Sequence, residues 1–137
     1  MSMDLKDKIE KDIQRRNITP ATVWNIFVNS VNGIRWYAKD GKSIILYIFG
    51  VLVEVIMGII YHISGLEWTL IVCMLTLILS VELINTAIES VCDLVSKDYN
   101  MKIRIAKDCG SAATFVVFCA TVAISLVIFL PKIWALF

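Results

Sequence analysis

The chain has 137 residues, enough for one domain, and is 58% hydrophobic with only 18% charged residues. Its mean hydropathy of +0.77 leaves more apolar surface than so short a chain can bury. That excludes disorder, argues against a water-soluble globule, and points to lipid as the surrounding medium; the net charge of +1 gives no sign of a nucleic-acid partner.

Residues 1–19 are polar and charged, with no early apolar run, so they do not read as a signal peptide. Thr19-Pro20 then reads as a helix start, with Thr19 as cap and Pro20 in the first turn. From Ala21 to about Lys39, Val23, Trp24, Phe27, Val28, Val31, Ile34 and Trp36 alternate with Asn and basic residues. This is the pattern of an amphipathic helix, either lying in the membrane interface or packed on the bundle.

Three apolar stretches follow, at about residues 44–63, 66–95 and 109–131. Each is long enough to cross a hydrocarbon core of about 30 Å. Ser64-Gly65 reads as a tight turn between the first two, and residues 96–108 as a polar connection to the third. Eight of the thirteen Lys and Arg precede the first stretch, and Lys97, Lys102, Arg104 and Lys107 lie between the second and third. Only Lys132 follows the third, so the N-terminus is expected in the cytoplasm and the C-terminus outside, across a plasma (inner) membrane. The expected fold class is all-α integral membrane: three transmembrane helices behind an N-terminal amphipathic helix. Residues 20–137 form the membrane domain.

The segment Val81-Glu82-Leu83-Ile84-Asn85-Thr86-Ala87-Ile88-Glu89-Ser90-Val91-Cys92-Asp93 places charge where charge is costly. On a helix, Glu82, Asn85, Glu89 and Asp93 fall within about 80° of arc. An acid at the centre of a membrane helix costs about 2.5–3.5 kcal/mol on insertion scales. An acidic stripe there calls for partners: cations, a metal or protons. The bland alternative is a stripe already above the headgroups and merely solvated, which suits Asp93 well and Glu82 badly.

A second cluster, Arg104-Ile105-Ala106-Lys107-Asp108-Cys109-Gly110-Ser111-Ala112-Ala113, opens the third span on the same side. Lys107 offers a positive charge for phosphate, and the small residues permit close helix contact. Carboxylates, a lysine and a small-residue segment on one membrane face are what metal-assisted phosphoryl transfer needs. Gly41-Lys42-Ser43 imitates the end of a phosphate-binding loop, but Trp36 stands where its first glycine belongs. Glu54 inside the first span reads either as a neutral buried acid, the favoured reading, or as the partner of another polar group within the assembly, and His62 reads as an interfacial histidine. Cys73, Cys92, Cys109 and Cys119 have no paired spacing and read as free thiols.

The block Glu82-Leu83-Ile84-Asn85-Thr86-Ala87-Ile88-Glu89, then Asp93, then Ala106-Lys107-Asp108-Cys109-Gly110-Ser111-Ala112-Ala113, resembles the bacterial integral-membrane diacylglycerol kinase family, which includes undecaprenol kinases. The resemblance covers roughly residues 20–131, which implies that residues 1–19 are an added N-terminal extension. It implies a homotrimeric bundle with active sites shared between subunits, ATP as co-substrate, Mg²⁺ as cofactor and a membrane lipid alcohol as acceptor. It further implies Glu82 as catalytic base supported by Asn85, Glu89 as metal ligand and nucleotide contact, and nucleotide contacts from Asp98, Tyr99, Asn100, Lys107 and Asp108. The glutamate that supplies the family's other metal ligand falls on Gly41 here, which leaves neighbouring Asp40 as the candidate replacement.

Three functions are therefore open. The leading one is a lipid kinase acting on undecaprenol or diacylglycerol. The second is a weakened family member that binds lipid or nucleotide without efficient transfer. The third is an ion pathway, which would need a polar track that residues 69–81 do not offer.

Overall fold

The computed structural model describes residues 20–39, 42–95 and 100–136. Four helices and no strand occur among them: α1 (Pro20–Lys39), α2 (Lys42–Ile60), α3 (Gly65–Val95) and α4 (Met101–Trp134). By its contacts the chain divides into two units, Met1–Trp36 and Tyr37–Phe137.

In the first unit α1 opens on Pro20, whose missing N–H is no loss at a helix start. Val23, Trp24, Phe27, Val31 and Ile34 fall within about 100° of arc, which makes the helix amphipathic. The Trp24 and Phe27 rings lie 5.9 Å apart on that stripe. Thr19, its expected cap, lies outside the described residues.

In the second unit α2, α3 and α4 are each long and apolar enough to cross a membrane. Their outward faces are apolar, with Phe49, Ile56, Leu70, Val72, Phe115 and Val127 all exposed. Lipid is the solvent that makes such a surface favourable. Thr76, Ser80 and Thr86 fold their hydroxyls back onto the carbonyls of Val72, Ser80's neighbour Thr76, and Glu82, at 2.8, 2.8 and 3.0 Å. A polar side chain in an apolar span is satisfied locally in this way.

The α2–α3 connection is built differently from a two-residue turn at Ser64-Gly65. α2 stops at Ile60 in a Schellman motif: Ile63 N donates to Gly58 O at 3.2 Å and His62 N to Ile59 O at 3.3 Å. His62 takes the left-handed conformation, φ 47°, that this cap requires. Ser64 then caps α3 in a reciprocal capping box, with Ser64 N donating to Glu67 Oε2 at 2.6 Å and Glu67 N to Ser64 Oγ at 3.3 Å. Gly65 is already helical. Packing is tightest at this end, where Ile63, Ile71, Ile128 and Phe129 form the buried core and Lys132 closes onto Glu67 at 3.0 Å.

α4 begins eight residues earlier than the apolar run that announces it. Asn100 caps it, its side chain accepting from Lys102 N at 2.9 Å. The segment read as a connection therefore supplies the first two turns of α4, Lys107 and Asp108 included. At the other end α4 continues through Pro131 to Trp134, although Pro131 has no N–H to offer the carbonyl of Val127 four residues back.

Relative lengths set the position of everything else. At 1.5 Å per residue α2 is about 28 Å long, α3 about 46 Å and α4 about 51 Å. Tyr47 OH donates to Leu75 O at 3.3 Å, which fixes the register of α2 on α3. Five residues further along each helix, α2 has reached its first residue and α3 has reached Ser80. Beyond that level α3 and α4 run on as an antiparallel pair, and the acidic stripe begins there.

Candidate active site

Helical periodicity puts Glu82, Asn85, Glu89 and Asp93 on one face of α3, and that face is turned toward α4. Asn85 Nδ2 donates to Glu89 Oε1 at 3.1 Å. Asn85 Oδ1 points the other way, buried against Gly110 of α4. One helical turn further, Asp93 Oδ1 accepts from Lys107 Nζ at 2.5 Å. Cys92 is buried beside this pair. Glu82 and Glu89 are both half-buried. The arrangement is three carboxylates, one amide and one ammonium along a single helix–helix seam.

The stripe residues Glu82, Asn85 and Glu89 are thus brought to one seam with Lys107. Asp108 is not: its carboxylate is exposed and pairs with Arg104 Nε at 3.7 Å on its own helix. Successive helical residues diverge by about 100°, so Lys107 and Asp108 cannot both face α3. Asn100 serves as the helix cap. Asp98, Tyr99, Asp40 and Gly41 lie outside the described residues. Of the small residues, only Gly110 is buried, while Ser111, Ala112 and Ala113 are exposed. The four cysteines are free.

Two further polar contacts lie outside this seam. Ser125 of α4 donates to Glu54 Oε1 of α2, and Glu54 Oε2 is buried without a hydrogen-bond partner. No sequence pattern announces a pair 71 residues apart. The capping box at Ser64-Gly65-Leu66-Glu67 was, by contrast, written in the sequence as Ser-x-x-Glu ahead of an apolar run.

As to a metal, no group of three or more His, Cys, Asp or Glu side chains converges among the described residues. An all-protein cage is not what Mg²⁺ needs: one or two carboxylates plus phosphate oxygens suffice. Glu89, with one oxygen oriented by Asn85, suits that hard, oxygen-seeking role.

A three-span helical membrane protein with a carboxylate–amide–lysine seam at one end of its bundle has the parts of a membrane-embedded kinase. The sequence pattern of the prokaryotic diacylglycerol kinase family matches residues 28–129. The chain is also 31% identical to undecaprenol kinase from Bacillus subtilis (strain 168) over 107 residues, covering 78% of this chain and 87% of that protein. The chain belongs to the prokaryotic diacylglycerol kinase family. It is a membrane lipid kinase with an alcohol as acceptor and ATP as co-substrate.

Proposed function

We propose that the chain transfers the γ-phosphoryl group of ATP to the hydroxyl of undecaprenol, with diacylglycerol as the runner-up acceptor, and that Glu82 is the general base. The Glu82 carboxylate takes the hydroxyl proton. The freed oxygen forms a bond to the γ-phosphorus as the bond to the β–γ bridging oxygen breaks, releasing ADP. Lys107 offsets charge on the phosphoryl oxygens. Glu89 and Asp40 would hold Mg²⁺, which screens the phosphates when bound with the nucleotide.

The observation that carries this reading is the convergence of Glu82, Asn85 and Glu89 with Lys107 on one seam. Glu82 stands level with the start of α2, at the boundary of the apolar bundle, where a lipid hydroxyl can reach it. Similarity to a protein that phosphorylates undecaprenol favours that acceptor. Nucleotide contacts from Asp98, Tyr99, Asn100 and Asp108 complete the proposal. Since Asp108 faces away from its own seam, a homotrimer with shared sites gives it a seam to meet. The proposed setting is the inner membrane with the N-terminus cytoplasmic.

Gly41 motivates the second reading, a member that binds without efficient transfer. The ion pathway finds no support, because Thr76 and Ser80 spend their hydroxyls on their own helix.

The test is transfer of labelled phosphate from ATP with Mg²⁺ by the purified full chain in lipid-like micelles. Undecaprenol and diacylglycerol are offered separately, with Glu82→Gln as control. Transfer that falls about 100-fold or more in the variant is expected for a lost general base. Equal transfer by the variant would remove Glu82 from that role, and no transfer by the folded parent would favour the binding reading.

A further inference from the structure

Asn85 is held by two unlike neighbours. The Glu89 carboxylate only accepts hydrogen bonds, so the Asn85 amide must present its Nδ2 to it, as it does at 3.1 Å. The carbonyl Oδ1 is thereby forced toward α4, where it is buried and has no N–H or O–H partner. What it meets is the Cα of Gly110. A Cβ built on Gly110 would overlap Asn85 Oδ1 and crowd Asn85 Cγ at 3.3 Å. The hydrogen that glycine carries in place of that Cβ points at the carbonyl oxygen. A glycine so close to a carbonyl oxygen permits the weak Cα–H···O contact found at close helix–helix interfaces.

We propose that Gly110 is a positioning residue for phosphoryl transfer: its missing side chain keeps the Asn85 amide seated on α4 and so holds Glu89 in its working orientation. The inference rests on the reading of Glu82, Asn85 and Glu89 as the active site. It goes beyond helix packing, because the group that fills the Gly110 gap is not a methyl of the opposite helix but the amide that orients a carboxylate. Any side chain at position 110 forces a choice. Either Asn85 rotates away and releases Glu89, or α4 backs off α3 and takes Lys107 with it.

A double-mutant cycle decides the matter, using the full chain in lipid-like micelles with ATP and a lipid alcohol. Gly110→Ala, Asn85→Ala and the double variant are compared for kcat, for KM toward lipid and for the Mg²⁺ concentration giving half-maximal rate. Thermal unfolding is followed alongside. Alanine is the better helix former, so a merely local role predicts equal or higher stability and an unchanged rate. Positioning predicts a kcat lower by about 10- to 100-fold in Gly110→Ala. It also predicts a half-maximal Mg²⁺ concentration raised about tenfold, as when a group that orients a metal ligand is lost, with KM for lipid unchanged. The double variant should match Asn85→Ala alone, since the residue through which Gly110 acts is already gone.

Parental kinetics in Gly110→Ala, or losses that multiply in the double variant, would overturn the proposal. If Gly110→Ala does not fold, the double variant decides: folding restored by removing the Asn85 side chain supports the contact, and failure of both assigns Gly110 to packing alone. Parental rates in Asn85→Ala would instead sink the reading of the active site itself.

Discussion

Lys107 of α4 holds its ammonium 2.5 Å from Asp93 Oδ1 of α3, one turn beyond Glu89. The two side chains are 36% and 68% exposed, so the pair is a solvent-screened surface salt bridge and contributes little to stability. Its value lies in where it parks a positive charge. Lys107→Met should therefore lower kcat by about 100-fold if Lys107 stabilises transferring charge. Asp93→Asn should change it only a few-fold, and neither should move the unfolding midpoint much. Rates measured for both variants in the same micelles check this; equal losses would make the pair, rather than the lysine, the functional unit.

Asp108 and Glu82 should complement each other between subunits. Asp108 pairs with Arg104 away from its own seam. In the proposed trimer it serves a neighbour. Asp108→Asn and Glu82→Gln, each weakly active alone, should regain transfer when co-expressed and purified as mixed assemblies. Mixing that restores nothing would confine each site to one chain.

The Glu54–Ser125 pair predicts a sign reversal. Ser125→Ala removes the partner of Glu54 Oε1 while Oε2 is already without one. That variant should lose about 1 kcal/mol or more. Replacing both groups, as Glu54→Leu with Ser125→Ala, should recover most of the loss, because no buried polar atom is then stranded. Unfolding in detergent reads both.

The α2–α3 turn predicts opposite effects of two glycine exchanges. His62 sits at φ 47°, a conformation glycine adopts freely, so His62→Gly should stabilise by up to about 1 kcal/mol. Gly58→Ala should destabilise by about 1–3 kcal/mol, since the new Cβ would lie 2.6 Å from the Trp68 indole and 3.1 Å from Ile63 Cδ1. The Trp68 environment, half-buried now, should report the second change by fluorescence.

The spans and the stripe were legible because each is a one-dimensional pattern. Residues 44–63 carry no formal charge apart from Glu54, and Glu82, Asn85 and Glu89 recur at helical spacing. The start of α4 was not, because its first two turns are polar and resemble a loop; the cap at Asn100 was the available signal. Placing that start correctly would also have separated Lys107 from Asp108, since a helix beginning at Met101 carries them to different faces. The Gly110 contact with Asn85 and the Ser125 bond to Glu54 depend on the register between helices. No single-helix pattern encodes that register.

The shortfall of α2 gives the bundle a step, with α3 and α4 rising past it and Glu82 at its foot. In the proposed reaction two kinds of traffic would meet on such a step. An alcohol at the end of a lipid tail would travel in the plane of the bilayer and reach the foot sideways, still anchored. A nucleotide would descend from water along the helix pair, past Lys107, toward Glu89. The proposed reacting groups would thus meet without the lipid being lifted out or the nucleotide being drawn in.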